Sequence, residues 1–215
     1  MIGTTGLPAP KLISRLPIAT LMLFLLAGCS AEVSFQGTEL SPPQTASLFQ
    51  LTDQFNQSLA LEDLKGRVVV LTFLYTRCPD VCPLMAETLR KAYSSLGDEA
   101  SETAFVAISV DPARDTTEEV RRFSEEKGMV DRWSFLRGTE EELRPVWQAY
   151  YVAAEPETIT GEALDTDTHE HTGEYLIGHS TPVYLIDRSG MLRVLHTSLT
   201  LDPQPLVNDI RLLLK

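Results

Sequence analysis

Two cysteines separated by three residues, Cys78 and Cys82, have the clearest capacity for chemistry in this sequence. Residues four apart share a face of a helix, and in a turn that leads into a helix their sulfur atoms can also converge. A helix amino terminus favours thiolate over thiol, because its unpaired N–H groups and partial positive charge stabilise an anion. The pair can therefore form a disulfide, act as a redox couple or bind a soft metal ion.

The length of the loop between the cysteines bears on these uses. Dithiol oxidoreductases of the thioredoxin type have two residues between their cysteines, whereas this loop has three, Pro79, Asp80 and Val81. The wider loop can still close a disulfide, but it equally suits two thiolates around an ion. Thiolates select Cu(I) or zinc over hard cations. Two thiolates are too few for a closed structural zinc site, which normally has four ligands. If the pair binds a metal ion, we expect a third ligand from elsewhere in the chain, and histidine is the obvious candidate.

The residues around the cysteines predict a buried strand followed by a helix. Residues 67–75 are β-branched and nearly all apolar, as in the central strand of a sheet. Residues 83–96 place apolar side chains on one helical face, and Pro83 suits a first helical turn. The cysteines are therefore expected between the end of a central strand and the start of a helix.

From residue 48 onward the chain alternates between strands and helices. The further predicted strands are 103–110, 133–136, 183–186 and 192–196, and the last two form a hairpin. The further predicted helices are 116–127, 139–150 and 203–214. The second of these opens with a capping-box pattern but contains Pro145, which can kink or restart a helix. The order β-α-β-α-β-α-β-β-α predicts a single α/β domain.

The amino terminus has the pattern of an export signal. Lys11 and Arg15 precede an uncharged apolar run, Ile18 to Ala27. About ten residues are too few to span a bilayer as a helix but fit the apolar region of a secretory signal. The run ends in Leu26-Ala27-Gly28-Cys29, which resembles the lipobox of bacterial lipoproteins. That resemblance implies cleavage before Cys29 and a lipid on its sulfur.

Three segments follow from this pattern: a lipoprotein signal peptide over residues 1–28, a lipidated cysteine with a flexible tether over 29–47, and a folded domain over 48–215. Export places the domain outside the cytoplasm, where free thiols tend to be oxidised. If Cys29 carries lipid, Cys78 and Cys82 are the two remaining thiols.

Composition excludes several classes of protein. The chain has 215 residues with 43% in the hydrophobic set, which is typical of a globular protein. Its 30 acidic and 18 basic residues give a formal charge of −12, so a basic nucleic-acid-binding surface is not expected. Three cysteines are too few for a disulfide-dense scaffold.

Five motifs occur together along the chain. In chain order they are Leu51-Thr52-Asp53-Gln54, Asp63-Leu64-Lys65-Gly66-Arg67, Tyr75-Thr76-Arg77-Cys78-Pro79-Asp80-Val81-Cys82-Pro83, Ser109-Val110-Asp111-Pro112-Ala113-Arg114-Asp115-Thr116 and His179-Ser180-Thr181-Pro182-Val183-Tyr184-Leu185-Ile186-Asp187. Together they resemble the Sco/SenC family of copper-binding, thioredoxin-like assembly proteins. The resemblance covers the chain from about residue 48 to its end. It implies a thioredoxin-like domain with a central mixed sheet flanked by helices.

The resemblance also implies a ligand set and a role. Copper, as Cu(I), Cu(II) or both, would be bound by Cys78, Cys82 and His179. The chain would be a metallochaperone that helps to assemble the binuclear copper site of cytochrome c oxidase. Its partners would be the copper-site subunit of that oxidase and another periplasmic copper chaperone or thiol reductase. It would lie on the periplasmic side, attached to the membrane by lipid, with no nucleic acid bound.

The main alternative is an enzyme, a thiol–disulfide reductase that keeps the cysteines of that copper site reduced. Both functions need Cys78 and Cys82, but only the metallochaperone needs His179. A structural disulfide is the simplest alternative for the two cysteines. A thioredoxin-like peroxidase is not favoured by the Cys-Pro-Asp-Val-Cys arrangement and the distant histidine.

Other polar residues have weaker functional signals. Asp111 and Asp115 are interpreted either as outer-shell residues of the copper site or as a strand end and a helix cap. His169 and His171 lie in an acidic segment, residues 155–174, that is typical of a solvated loop, although they could bind copper transiently. His196 is expected to be structural.

Overall fold

A run of seven buried residues, Val68–Leu74, forms the central strand of the molecule. Apart from Thr72 its side chains are apolar, as expected for a strand covered on both faces of a sheet. The computed structural model describes residues 3, 34–158, 175–178, 180–197 and 200–215. Residues 35–215 form one compact unit around this strand.

Ten strands and four α-helices occur in the described part of the chain. The strands are β1 (Thr38–Thr45), β2 (Gln50–Thr52), β3 (Ser58–Ala60), β4 (Val68–Leu74), β5 (Thr103–Ser109), β6 (Trp133–Leu136), β7 (Glu155–Thr158), β8 (Tyr175–Gly178), β9 (Val183–Ile186) and β10 (Met191–His196). The helices are α1 (Val81–Leu96), α2 (Thr117–Glu126), α3 (Glu140–Ala149) and α4 (Gln204–Leu214). Short 3-10 segments lie at Leu61–Leu64 and Gly97–Glu102.

Six strands form one sheet in the order β1-β10-β9-β4-β5-β6. β4 pairs in parallel with β5 and antiparallel with β9, so the sheet is mixed. α1 packs against α4, and α4 also contacts β4. This is the thioredoxin-like arrangement of a mixed sheet flanked by helices, and the predicted fold class is confirmed.

The predicted helices and central strands agree with the structure to within about two residues at each end. Thr139 forms the expected capping box of α3, since Glu142 N donates to its hydroxyl and its own N–H donates to the Glu142 carboxylate. Pro145 lies inside α3 without ending it. Pro145 has no backbone N–H and so cannot make the helical hydrogen bond at its position. Burial of the neighbouring side chains of Leu143, Val146 and Trp147 stabilises the helix despite this loss.

The structure differs from the sequence-based prediction at residues 38–45, where a flexible tether was expected. These residues form β1, an edge strand paired antiparallel with β10. Nearly all of its side chains are exposed, so it lacks the alternating pattern that predicts a half-buried strand. Its register shifts between Glu39 and Gln44, around Pro42 and Pro43, as is usual for prolines at an edge strand. This strand forms through backbone hydrogen bonds to β10, and the types of its side chains do not predict such pairing.

Two further small sheets were not predicted: β2 pairs with β3, and β7 pairs with β8. β7 opens the acidic segment 155–174, which was expected to be a loop throughout. The predicted signal peptide, residues 1–28, lies outside the described residues except for residue 3, and so does Cys29. Within the part of the chain that the structure describes, no helix is both long and apolar enough to cross a membrane.

Candidate metal centre

The two cysteines lie where β4 ends and α1 begins. Cys78 is in the turn after β4, and its backbone N–H points to the carbonyl of Tyr75 at 3.5 Å. α1 begins at Val81, which places Cys82 in its first turn. Both cysteines are buried: Cys82 has no exposed surface and Cys78 is 8% exposed. The predicted placement between a central strand and a helix is therefore confirmed.

The sulfur of Cys78 takes the position of a helix-capping acceptor. The backbone N–H of Cys82 donates to Cys78 Sγ over 3.4 Å. This N–H is one of the four at a helix start that have no partner within the helix. The Asp80 side chain, at the N-cap position, makes no capping hydrogen bond, so the sulfur replaces the usual carboxylate or hydroxyl cap.

The two thiols are electrostatically unequal. The pKa of Cys78 is lowered to about 5, mainly because the Cys82 side chain hydrogen-bonds to it. Burial opposes that shift, while the N–H groups of Asp80 and Cys82 and the Tyr75 hydroxyl support it. The pKa of Cys82 is raised far above its ordinary value by its hydrogen bond to Cys78 and by burial. At neutral pH the pair therefore consists of a Cys78 thiolate and a Cys82 thiol that donates to it.

The buried carboxyl group of Asp115 supports the segment that leads into Cys78 by hydrogen bonds to Thr76. Asp115 accepts hydrogen bonds from the backbone N–H of Thr76 at 3.0 Å and from its hydroxyl at 2.7 Å. It also accepts from Ser109 Oγ at 2.6 Å and is 1% exposed. Burial raises the pKa of Asp115 to about 6. Its contacts to Thr76 support the loop rather than the helix, because the cap of α2 is Thr116, whose hydroxyl accepts from Glu119 N.

The segment that contains the third predicted ligand enters the sheet beside the cysteine loop. β9 pairs antiparallel with β4, and Val183 lies opposite Thr72, two residues before the end of β4. The Thr72 hydroxyl donates to the Pro182 carbonyl at 3.0 Å. His179 itself, like His169 and His171, lies outside the described residues. On its other side, Gly178 ends β8.

Tyr75 was not singled out in the sequence because it was interpreted as the end of a buried strand. Its hydroxyl hydrogen-bonds to Cys78 and accepts from the backbone N–H of Ile177, in β8, over 3.4 Å. Burial raises the pKa of Tyr75 to about 12, so the phenol stays protonated. The contact joins residues 102 positions apart, which no local pattern reports.

His196 is buried, as expected of a structural residue, with Nε2 3.0 Å from Asp209 Oδ2. His196 is the last residue of β10, opposite Val183 in β9, and Asp209 lies in α4. Within the described ranges no group of three His, Cys, Asp or Glu side chains is placed to hold a metal ion. The described part of the site therefore offers two cysteine sulfurs, Cys78 and Cys82, as candidate ligands.

Comparison with known proteins gives the family context. A family model for SCO1/SenC matches residues 37–215, which includes β1. A putative copper-binding protein from Stutzerimonas stutzeri is 31% identical over 147 residues, which cover 67% of this chain and 65% of that protein. The chain thus spans just under two thirds of the length of this relative.

Solved structures show the same fold. ScoI from Bradyrhizobium japonicum with copper bound has 27% identity and a TM-score of 0.64, covering 79% of this chain and 99% of that chain. A SCO1/SenC family lipoprotein from Bacillus anthracis str. Ames has 25% identity and a TM-score of 0.64, covering 82% of this chain and 99% of that chain.

Proposed function

The chain belongs to the SCO1/SenC family, and on that premise we propose that it is a copper metallochaperone. Cys78, Cys82 and His179 would bind the ion. The carrying observation is the buried pair of sulfurs at the start of α1, one of them a thiolate. Thiolate sulfur is the ligand that Cu(I) prefers, and an added imidazole nitrogen suits Cu(II). The relative named as copper-binding and the neighbour with copper bound support this choice of metal.

The protonation of the two thiols fits transfer of a metal ion. Cys78 offers its thiolate without losing a proton, whereas Cys82 releases one when its sulfur binds. A single proton is therefore exchanged for Cu(I) at neutral pH. The burial of both sulfurs would shield a bound ion from water, while Arg77, Asp80 and Val81, in and beside the loop, are exposed.

The recipient follows from the family resemblance: the copper-site subunit of cytochrome c oxidase, whose binuclear site the chain would help to assemble. Another periplasmic copper chaperone or thiol reductase would supply copper or electrons. Lipid on Cys29, at the predicted lipobox, would hold the domain on the periplasmic side of a membrane, and the similarity to a lipoprotein from Bacillus anthracis supports this proposal.

A second candidate function, thiol–disulfide reductase, is favoured by the inequality of the cysteines. The Cys78 thiolate would attack a partner disulfide and form a mixed disulfide. Cys82, after passing its proton to the released partner thiolate, would attack Cys78. This step frees the second partner sulfur as a thiolate, which takes a proton from water, and leaves a Cys78–Cys82 disulfide. A thiol reductant must then restore the pair. This scheme has no role for His179.

Metal titration of matched variants tests the choice. His179→Ala should weaken Cu(II) binding severely and Cu(I) binding only partly, because two thiolates can retain Cu(I). Cys78→Ala and Cys82→Ala should weaken both. His169→Ala and His171→Ala are the control variants and should have smaller effects. In a strain that lacks the native protein, the His179 variant should fail to restore copper loading of the oxidase. Full copper affinity and full activity of that variant would favour the reductase.

A further inference from the structure

The strand that leads into His179 has no place in the central sheet. In the described part of the chain, β8 pairs with β7 alone, as a separate two-stranded sheet. An isolated two-stranded hairpin is only marginally stable in water. The position of β8 beside the cysteine loop therefore depends on contacts that β8 makes outside the β7–β8 sheet.

Three hydrogen bonds supply such contacts. Arg114 Nη1 donates to the carbonyl of Tyr175 at 2.9 Å, and the Tyr175 hydroxyl donates to Asp111 Oδ1 at 2.7 Å. Two residues further along β8, the N–H of Ile177 donates to the Tyr75 hydroxyl at 3.4 Å. The Ile177 side chain is 7% exposed and belongs to the core. One end of β8 is thus joined to the loop after β5, and its middle to the end of β4.

Arg114 is the residue that combines these contacts. Its Nε atom forms an ion pair with Asp111, which is 1% exposed. Its guanidinium carbon lies 3.6 Å from the centre of the Tyr175 ring and 6.0 Å from that of Tyr75. A planar guanidinium can stack on an aromatic face while its edge donates to a carboxylate and a carbonyl, which a lysine ammonium cannot reproduce.

We propose that Arg114 is a positioning residue for the third copper ligand, because it fixes the strand from which the chain enters His179. The inference rests on the proposed function, in which His179 is a ligand. Cu(II) needs the imidazole, so its binding depends on where β8 lies. Cu(I) bound by Cys78 and Cys82 depends on it far less.

Copper titration of Arg114→Gln tests the proposal, with Arg121→Gln as the matched control. Arg121 also pairs with a carboxylate, Glu125 at 3.0 Å, and lies 5.9 Å from the ring of Phe55, but its side chain is exposed. Arg114→Gln should weaken Cu(II) binding by roughly 10- to 100-fold, the usual effect of removing a residue that orients a ligand. The Cu(I) affinity of Arg114→Gln should stay within about threefold of the native value. The Cu(II) affinity of Arg121→Gln should also stay within about threefold, well short of the loss expected for Arg114→Gln.

Two readouts separate positioning from general stability. Nitrogen hyperfine coupling in the electron paramagnetic resonance spectrum of Cu(II) should weaken in Arg114→Gln and stay unchanged in Arg121→Gln. In a background of His179→Ala, Arg114→Gln should cause no further loss of Cu(II) affinity, because the ligand that it positions is absent. Tyr175→Phe, which removes one hydroxyl group, should act in the same direction with a smaller effect and serves if Arg114→Gln does not fold.

The outcomes distinguish failure of the positioning role of Arg114 from failure of the proposed copper-binding function. If His179→Ala leaves Cu(II) binding and its spectrum unchanged, the proposed ligand set is wrong. If His179→Ala weakens Cu(II) binding while Arg114→Gln and Tyr175→Phe both behave like Arg121→Gln, His179 remains a ligand and the positioning role is overturned. Equal losses of Cu(I) and Cu(II) affinity in Arg114→Gln would also overturn it, since they would indicate damage to the cysteine loop.

Discussion

At the residue scale, the chemistry of this protein comes from the inequality of two cysteines that look equivalent in sequence. Cys78 sits before the helix, where the N–H of Cys82 reaches its sulfur, while Cys82 sits inside the first turn and is fully buried. A helix start stabilises charge on an atom that faces its free N–H groups. The same three-residue loop therefore gives one thiolate and one protonated donor.

Thiolate absorbance near 240 nm should report this inequality in reduced protein that carries Cys29→Ser. We expect one thiolate to form in a step near pH 5, the lowered pKa of Cys78, with the thiolate present above that pH. Cys82→Ala should move the step to higher pH, because the hydrogen bond from Cys82 is the main cause of the low pKa. Cys78→Ala should abolish it. Two steps near the ordinary thiol pKa of about 8.5 would contradict the prediction.

Asp115 links the stability of the domain to pH. Its folded pKa of about 6 lies above the value of roughly 3.9 for an unfolded aspartate. The folded state therefore binds the proton more tightly, and this contribution to stability is present at low pH and is lost as pH rises through about 4 to 6. Asp115→Asn mimics the protonated acid. Relative to the native protein, its free energy of unfolding should increase on the order of 2 kcal/mol between pH 4 and 7.5.

Urea unfolding of both proteins at the two pH values measures this difference. Asparagine keeps an oxygen that can accept from Thr76, and its amide can donate to Ser109, so the loop retains its support. Asp131→Asn, at an exposed position, is the control for the substitution itself. A stability difference between Asp115→Asn and native protein that is constant with pH would show that Asp115 titrates normally.

At the element scale, the amino-terminal strand depends on a buried carboxylate in the last helix. Asp209 in α4 has no exposed surface and accepts the N–H groups of Gln36 and Gly37, each at 2.8 Å. These residues lead directly into β1. Burial tends to raise the pKa of Asp209, but the neighbouring His196 and the N–H groups of Gln36 and Gly37 together hold it below its ordinary value. β1 is thus anchored at its start by α4 and along its length by pairing with β10.

Removing this anchor should destabilise the domain. Asp209→Ala leaves two N–H groups without their charged acceptor and should lower the free energy of unfolding by about 3 kcal/mol. Gly37→Ala should act in the same direction, because an added Cβ would lie 2.6 Å from Val194 Cγ1. Chemical denaturation measures both, with Asp131→Ala as a surface control. If Asp209→Ala unfolds at the native denaturant concentration, β1 does not need the anchor.

At the scale of the whole molecule, the folded domain and the amino terminus have separate tasks in the proposed function. The compact unit begins at Phe35, so only the first residues of the predicted tether would join it to Cys29. Lipid attachment would confine the copper site to the membrane surface, where the proposed oxidase subunit also lies. This division allows each part to be tested without damage to the other.

Cys29→Ser should therefore release the protein from the membrane without changing its copper affinity. The substitution removes the sulfur to which lipid would be attached and blocks lipoprotein processing. Mass spectrometry of the mature native protein should find a lipid-modified amino terminus at Cys29, and Ser30→Ala should retain it as a control. An unmodified amino terminus at any other residue would overturn the prediction.

The sequence by itself determined the α/β fold class, the strand–loop–helix that holds both cysteines and the thioredoxin-like family resemblance. These features depend on local apolar patterns and on motifs of contiguous residues, which are visible in one dimension. β1 escaped prediction because an exposed edge strand is made by backbone pairing, and its side chains carry little of the pattern.

Only the tertiary structure decided how the cysteines differ and what surrounds them. The low pKa of Cys78 depends on its neighbours within four residues, yet their direction is set only when the helix forms. Arg114 and Tyr175 are 61 positions apart, and Tyr75 and Ile177 are 102 apart, so their contacts exist only after the chain has folded and β8 lies beside the end of β4 and the loop after β5. Such contacts depend on the distance in space between residues, and residue type and spacing along the chain do not record that distance.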